Sequence, residues 1–219
     1  MDKEDIPQAQ EIEKESFSTL WPYTSFKKEL RNKLAYYIVA QSVEEDESFP
    51  EWTPYSLDLK PNEYVEVPSN GGGWWRRWTD GIRQLFLGRT HPQLPARKIL
   101  GYAGIWFMVD EAHLVSVAVR KAHRRQGIGE LLLIKAFELS AERNANFVTL
   151  EVRASNLGAQ RLYEKYGFQK VGVRKRYYTD TGEDALIMTS DALEAPLFRE
   201  HFERLKEVYF QKHSEPSKE

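Results

Sequence analysis

Residues 113–168 read HLVSVAVRKAHRRQGIGELLLIKAFELSAERNANFVTLEVRASNLGAQRLYEKYGF, and this stretch decides the fold. Residues 114–119 form a short apolar, β-rich run. The loop Arg124-Arg125-Gln126-Gly127-Ile128-Gly129 then leads straight into Leu131, Leu132, Ile134, Lys135 and Leu139 at helical spacing, so a strand feeds a helix through glycines. Residues 147–154 alternate, with Val148, Leu150 and Val152 on one face and Thr149, Glu151 and Arg153 on the other. A second helix follows, which Asn156 can cap at its start and Gly167 can close at its end. Strand, glycine loop, helix, strand, helix is the order of an α/β (α+β) chain.

The loop has a chemical reading. At a strand-to-helix junction the first helical N–H groups lack internal partners and the helix dipole adds partial positive charge, which suits a diphosphate. Gly127 and Gly129 remove side chains that would block close approach, and Arg124 and Arg125 offer charge-assisted hydrogen bonds to phosphate oxygens. The competing reading is an ordinary glycine turn before an amphipathic helix, and the three-glycine dinucleotide fingerprint is absent.

Glu151 lies on the polar face of its strand, and Tyr163 follows on the next helix, so a carboxylate and a phenol can face one cleft. That pair suits acyl transfer from a thioester to an amine. The carboxylate takes the ammonium proton and the phenol protonates the departing thiolate. Taken on spacing alone, a solvated glutamate and a packing tyrosine explain the same pattern.

Three motifs carry a resemblance: R-x-x-G-x-G at residues 124–129, L-E-V-R-A-S-N at 150–156 and N-x-x-A-x-x-L-Y-x-x-x-G-F at 156–168. Together they resemble the GNAT superfamily of acetyl-CoA-dependent N-acetyltransferases, and within it the RimI type that acts on the N-terminal alanine of a small-subunit ribosomal protein. The run Arg174-Lys-Arg-Tyr-Tyr-Thr-Asp with Gly-Glu-Asp-Ala-Leu-Ile-Met after it adds to the match, which covers residues 1–41 and 98–190. The resemblance implies a mostly antiparallel, twisted mixed sheet flanked by helices and splayed at the acetyl-CoA strand. It implies that Val117, Ala118 and Val119 pair through their backbones with the pantetheine arm, and that Arg124, Arg125, Gln126, Gly127, Ile128, Gly129 and Glu130 hold the diphosphate. It further implies that Asn156 touches the cofactor, that Glu151 is the general base and Tyr163 the general acid, and that Tyr177 and Tyr178 line the mouth for the acceptor's N-terminal backbone. For the tyrosine pair, two aromatics at the end of a hairpin strand are the plain alternative. His113 is an extra candidate as a second proton acceptor, set against a surface histidine at the start of a strand.

Composition limits the other classes. At 219 residues, 41% hydrophobic and 29% charged, the chain is long enough for one domain with a sizeable core. A formal net charge of -2 gives no global pull toward nucleic acid or membrane. With zero cysteines, disulfides, thiolate metal sites and a cysteine nucleophile are excluded, and five scattered histidines show no metal spacing. The charged start Met-Asp-Lys-Glu-Asp does not read as a secretory signal, and no run reaches transmembrane length, so a cytoplasmic setting is expected.

Ile6, Ala9, Ile12 and Phe17 sit at near-helical spacing, and a second helix is predicted over 22–31 with Phe26 and Leu30 on one side. The family resemblance implies that the connection 17–23, with Trp21 and Pro22, walls the acceptor site; core packing of these aromatics is the alternative. Strands are predicted over 34–40, 99–109 and 114–119, and a terminal hairpin over 171–172 and 185–188. The main departure from the family is an insert at 42–98. Its first part, 42–68, has eight acidic residues against Lys60 alone, and its second, 69–98, six basic residues against Asp80 alone. Within the latter, Trp74, Trp78, Ile82 and Leu85 make a stripe over 73–87. This segment either contacts an anionic membrane or a partner surface, or packs on the core with the acidic half covering the basic half. A disordered stretch at 43–48, a hinge at the glycines 71–73 and a mobile tail at 214–219 are expected. An added helix over 191–213 carries Phe198, Phe202, Leu205 and Tyr209 on one stripe, for which the rest of the domain or a second copy would be the partner.

The expected arrangement is a single acetyltransferase domain over 1–190 interrupted by the insert, with the helix and tail appended. The expected reaction moves acetyl from acetyl-CoA to a protein N-terminal α-amine without a metal and without a nucleic-acid site. An α-amine has a reference pKa near 8, which leaves a usable neutral fraction at pH 7. The alternatives are a lysine or small-molecule amine acceptor, or a non-catalytic acetyl-CoA-binding adaptor.

Overall fold

The structure is a computed structural model in which residues 1–17, 23–43, 64–68 and 98–214 are described. In chain order the elements are α1 (Ile6–Ser16), α2 (Phe26–Glu29), β1 (Ala35–Val43), β2 (Tyr64–Pro68), β3 (Lys98–Met108) and β4 (Glu111–Val119). They are followed by α3 (Ile128–Glu142), β5 (Phe147–Arg153), α4 (Leu157–Lys165), β6 (Phe168–Tyr178), β7 (Glu183–Ser190) and α5 (Pro196–Ser214).

The strands form one sheet in the order β2-β1-β3-β4-β5-β7-β6. Only β1 with β2 and β4 with β5 are parallel; the other four neighbours are antiparallel. The sheet is therefore mixed and largely antiparallel, as expected. The β4–β5 ladder is the break in it. Its register covers only Glu111–Leu114 against Phe147–Leu150, although β4 continues to Val119 and β5 to Arg153. A bulge shifts β4 against β3 at the same level, since Gly104 pairs with Ser116 and Ile105 with Leu114, leaving Val115 unmatched. One extra residue bends its strand and increases the local twist. Beyond Leu114 the two parallel strands diverge, and this opening is the splay.

Each face of the sheet has its own core. On one, Ile6, Ala9 and Ile12 of α1 and Phe26 of α2 pack on Tyr37, Val39, Ile99, Tyr102 and Ala118. On the other, Ile128, Leu131, Leu132, Ile134 and Phe137 of α3 meet Leu114, Val148, Leu150 and Val152, with Phe198, Phe202 and Tyr209 of α5 in the same cluster. The α5 stripe thus has its partner in this sheet-and-helix core. Phe137 is its hub, with ring centroids 5.3 to 6.4 Å from Phe168, Phe198, Phe202 and Tyr166.

Several expectations need correction. The helix predicted over 22–31 is only four residues long, Phe26–Glu29. The terminal hairpin is far longer than predicted: β6 lies at the edge of the sheet with mostly exposed side chains, so it lacks the hydrophobic alternation that would have revealed it. The insert adds a strand, β2, alongside β1. The helix expected from residue 191 begins at Pro196. Of the stretch expected to be disordered over 43–48, residue 43 is the last of β1, and of the tail expected to be mobile over 214–219, residue 214 is the last of α5; the rest of both, with Trp21, Pro22, the glycine hinge and the tryptophan stripe at 73–87, lies outside the described residues. Among the described residues, no helix is long and apolar enough to cross a membrane.

Candidate active site

The loop before α3 is shaped by left-handed backbone. Arg125 and Gly127 both take left-handed backbone angles, φ 64° and 84°, and Gly127 is the N-cap of α3. Left-handed residues alternating with helical ones turn successive N–H groups toward one concavity. Ile128 is 1% exposed, so it offers that concavity only its backbone, and a Cβ at Gly129 would meet nothing closer than 3.8 Å.

The side chains around this loop do not all serve as expected. Arg124 directs its guanidinium away from the helix end: Nε donates to Val119 O at 3.1 Å, and NH2 to Glu15 O at 3.2 Å and Ser16 Oγ at 3.1 Å. It ties the loop to β4 and α1. Glu130 is likewise drawn aside, accepting from Tyr166 Oη at 2.8 Å and from Lys165 Nζ. Turning this carboxylate toward Lys165 and Tyr166 draws its negative charge away from the loop. Arg125 and Gln126 are exposed.

The splay supplies a strand edge. Val117, Ala118 and Val119 pair with Ala103, Tyr102 and Gly101 of β3 on one side, while their other side faces the gap left by β5. A peptide-like arm can add to such an edge through main-chain hydrogen bonds. At the far side of the gap, Asn156 caps α4, its Oδ1 accepting from Ala159 N at 3.1 Å. Gly167, with φ 84°, ends the helix as its type predicted.

Glu151 stands where the strands part, its side chain 9% exposed. Its Oε2 lies 2.7 Å from His113 Nε2 on β4, and its Oε1 lies 3.0 Å from Arg174 NH2 on β6. The hydrogen bond from His113, aided by the Arg174 guanidinium, holds the Glu151 carboxyl below the ordinary carboxylate range against the opposing effect of burial. The reading of His113 as a surface histidine at a strand start is thus corrected. Its ring is half-buried because β4 and β5 are still in register at His113 and Thr149, which puts it on the same face as Glu151. Glu111 Oε1 is 3.7 Å from His113 Nδ1 and accepts from Thr149 Oγ1. The series Glu111, His113, Glu151, Arg174 therefore crosses three strands.

Tyr177 and Tyr178 join this group. Their rings meet edge-on at 5.2 Å, Tyr178 Oη lies 3.5 Å from Glu151 O, and Arg174 sits 5.5 Å from the Tyr177 ring centroid. Burial raises the pKa of both phenols, and the Glu151 charge adds to the effect. The Tyr178 ring carries Arg153 at 3.9 Å, a guanidinium held in turn by Asp180 at 2.7 Å and Glu183 at 3.4 Å. Tyr163 is packed on Phe168 at 5.5 Å, and burial pushes its hydroxyl up to about 12. Near neutral pH it therefore carries a proton that it can donate.

The structure thus brings Glu151, Tyr177 and Tyr178 together, and adds His113, Arg174 and Arg153, of which only His113 had been weighed from the sequence. Arg174 could have been found from its place in the run before the tyrosines. Arg153 could not, because its partners Tyr178, Asp180 and Glu183 come from the end of β6, the turn after it and the start of β7. Among the described residues, no group of three His, Cys, Asp or Glu side chains could hold a metal ion.

Comparison with known proteins agrees with this geometry. The acetyltransferase (GNAT) family matches residues 44–168. A relative from Bacillus subtilis (strain 168) is 50% identical over 90 residues, 41% of this chain and 60% of the relative. The [ribosomal protein bS18]-alanine N-acetyltransferase of Escherichia coli (strain K12) is 41% identical over 93 residues, 42% of this chain and 63% of that protein. The N-alpha-acetyltransferase of Sulfurisphaera tokodaii is 46% identical over 84 residues, 38% of this chain and 50% of that protein. The chain therefore matches between half and under two thirds of these relatives' length. The crystal structure of the ribosomal-protein-S18-alanine N-acetyltransferase from Escherichia coli superposes with a TM-score of 0.54 at 24% identity, over 87% of this chain and 89% of that one, which shows a shared fold. With its splayed sheet, glycine loop and matched span, the chain belongs to the acetyltransferase (GNAT) family.

Proposed function

We propose that the protein transfers acetyl from acetyl-CoA to the N-terminal α-amine of a protein, with an N-terminal alanine as in ribosomal protein bS18 as the first candidate acceptor. The observation that carries this reading is the Glu151 carboxylate at the parting of β4 and β5, in contact with His113 and flanked by Tyr177 and Tyr178. The names of two relatives, a [ribosomal protein bS18]-alanine N-acetyltransferase and an N-alpha-acetyltransferase, support it. The same reading puts the reaction in the cytoplasm, where ribosomal proteins are made.

The residues divide the work. The N–H groups at the start of α3 hold the diphosphate, the β4 edge at Val117, Ala118 and Val119 holds the pantetheine arm, and Asn156 borders it. Tyr177 and Tyr178 flank the acceptor's first residues. Glu151 takes the proton of the attacking ammonium. Its lowered pKa makes it a weak acceptor alone, so the proton is shared with His113 across their 2.7 Å contact or passes through water. Tyr163 donates its proton to the departing thiolate. Acetyl-CoA supplies the activated acyl group.

Turnover with acetyl-CoA and two peptides beginning with alanine, each with one internal lysine and one of them blocked at its N-terminus, tests the proposal. Acetylation of the free peptide alone is expected. Modification of both would move the reaction to lysine, and CoA binding without turnover on either would favour another acceptor or an adaptor.

A further inference from the structure

The two carboxylate oxygens of Glu151 have different kinds of partner. Oε2 is held by His113 Nε2 at 2.7 Å, and Oε1 lies 3.0 Å from NH2 of Arg174 on β6. The second pair is unequal. The Glu151 side chain is 9% exposed and that of Arg174 is 52% exposed, so the arginine is the partner that can leave.

The strand around Arg174 supports such a movement. β6 is the edge of the sheet, and its ladder with β7 pairs Arg174 with Ala185 and then resumes only at Tyr178 with Glu183. Within the gap Arg176 takes a left-handed φ of 52°, rare for a residue with a side chain. Asp184 pins this irregular turn of chain, accepting from Arg176 N at 2.9 Å and from Lys175 Nζ at 2.7 Å. The guanidinium of Arg174 is directed instead to Glu151, with the centroid of the Tyr177 ring 5.5 Å away.

An α-amine has a reference pKa near 8, so most of it reaches the site as a cation at pH 7. A base that takes its proton must come within hydrogen-bond reach of it. His113 fills Oε2, which leaves Oε1, where Arg174 stands. Two cations crowded onto one oxygen repel each other.

We infer that Arg174 is a specificity-determining residue of the acceptor site, its guanidinium keeping on Glu151 Oε1 the place that the acceptor's α-ammonium takes. The inference rests on the α-amine reading above. A free N-terminus exchanges one positive charge for another, so the buried carboxylate is never left unpaired. A blocked N-terminus brings no charge and leaves the pair with Arg174 intact. The displaced guanidinium has the Tyr177 ring beside it. The exchange also acts on the base. Glu151 is faced by His113 from β4 and by Arg174, Tyr177 and Tyr178 from β6, while its neighbour on β7 is the uncharged Ile187. After the His113 hydrogen bond, the Arg174 charge also lowers the Glu151 pKa, so without it the carboxylate takes up a proton more readily.

The test is a calorimetric titration at pH 7 of alanine-first peptides, one free and one N-terminally blocked, into the CoA complex of the full chain. Arg174→Met keeps an unbranched stem without charge, and Arg174→Lys keeps the charge. A partly exposed ion pair corresponds to roughly two- to fivefold in affinity. Arg174→Met is expected to bind the free peptide about two- to fivefold more tightly than the wild type and the blocked peptide as the wild type does, with Arg174→Lys close to wild type for both. In turnover the acceptor KM of Arg174→Met should fall, the acetyl-CoA KM should stay, and the acid limb of kcat/KM should move to higher pH. Unchanged or weaker binding of the free peptide, the same change for both peptides, or an unmoved acid limb would overturn the assignment. Should Arg174→Met fail to fold, Arg174→Gln is read in the same way. A wild-type chain that did not acetylate the free peptide at its N-terminus would instead remove the α-amine reading, and this inference with it.

Discussion

His113 Nε2 lies 2.7 Å from Glu151 Oε2, one residue before β4 loses its register with β5 at Leu114 and one residue after β5 loses it at Leu150. The contact therefore bridges the strands at the point where they part. It couples the opening of the sheet to the ionisation of the carboxylate, since the same hydrogen bond is the largest influence lowering the Glu151 pKa.

Replacing Glu151 by Gln is expected to cut kcat by roughly 10²- to 10⁴-fold, the usual range for loss of a general base. Near wild-type turnover in the folded variant would remove the carboxylate from the reaction. Stability carries a second signature. A carboxyl whose folded pKa is depressed contributes stability above its unfolded pKa, near 4.5, and loses it as pH falls through the lower folded value. The gap in Tm between wild type and Glu151→Gln should therefore be full at pH 6 and narrow steadily below about pH 4.5.

Removing the His113 hydrogen bond raises the Glu151 pKa, because its largest lowering influence is gone while burial still acts to raise it. In His113→Phe the acid limb of kcat/KM should move to higher pH, with a lower plateau. A pH–rate profile of the two proteins side by side reads this directly. An unmoved acid limb would show that Glu151 does not set it.

Tyr163→Phe removes one hydroxyl from a packed ring and leaves the contact with Phe168 intact. If that hydroxyl protonates the thiolate, kcat should fall roughly 10²-fold or more with little change in the acetyl-CoA KM. A rise in KM at unchanged kcat would instead assign the phenol to binding.

Gly127→Ala forces a side chain into a left-handed position with φ 84° and against His213 at 2.6 Å. Backbone strain of this kind costs on the order of 1–3 kcal/mol, and for a chain of this size each kcal/mol lowers Tm by roughly 2–4 °C. Thermal unfolding should show a loss of several degrees, accompanied by weaker CoA binding.

Phe137→Ala empties the centre of the aromatic cluster that joins α3, β6 and α5, and should cost about 3–5 kcal/mol. Urea unfolding measures it. A loss of less than about 1 kcal/mol would mean that α5 is not part of the cooperative core.

The local pattern was sufficient for the elements that bury one face. In β5 the alternation of Val148, Leu150 and Val152 with polar neighbours matches the burial residue for residue, and Asn156 and Gly167 end α4 where their types require. The motifs at 124–129 and 150–168 carried the family resemblance, and it was that resemblance, with the run at 174–180, that implied a shared site for Glu151, Tyr177 and Tyr178. Edge strands were less legible. The exposed side chains of β6 are under no pressure to alternate, so only a short core of the hairpin could be read.

What the sequence by itself determined was the order of strand, glycine loop, helix, strand and helix, because periodicity and glycine placement act within a few residues, while the family was legible only as a resemblance carried by the motifs at 124–129 and 150–168. What only the tertiary structure decided was which charges meet. Arg124 and Glu130 looked like neighbours of a phosphate and are bound to Val119 and Tyr166, while His113, Arg174 and His213, separated by tens of residues, reach Glu151 and Gly127. A charged side chain settles on the partner that best offsets its desolvation, and that partner is set by strand register and helix packing rather than by neighbours in the chain.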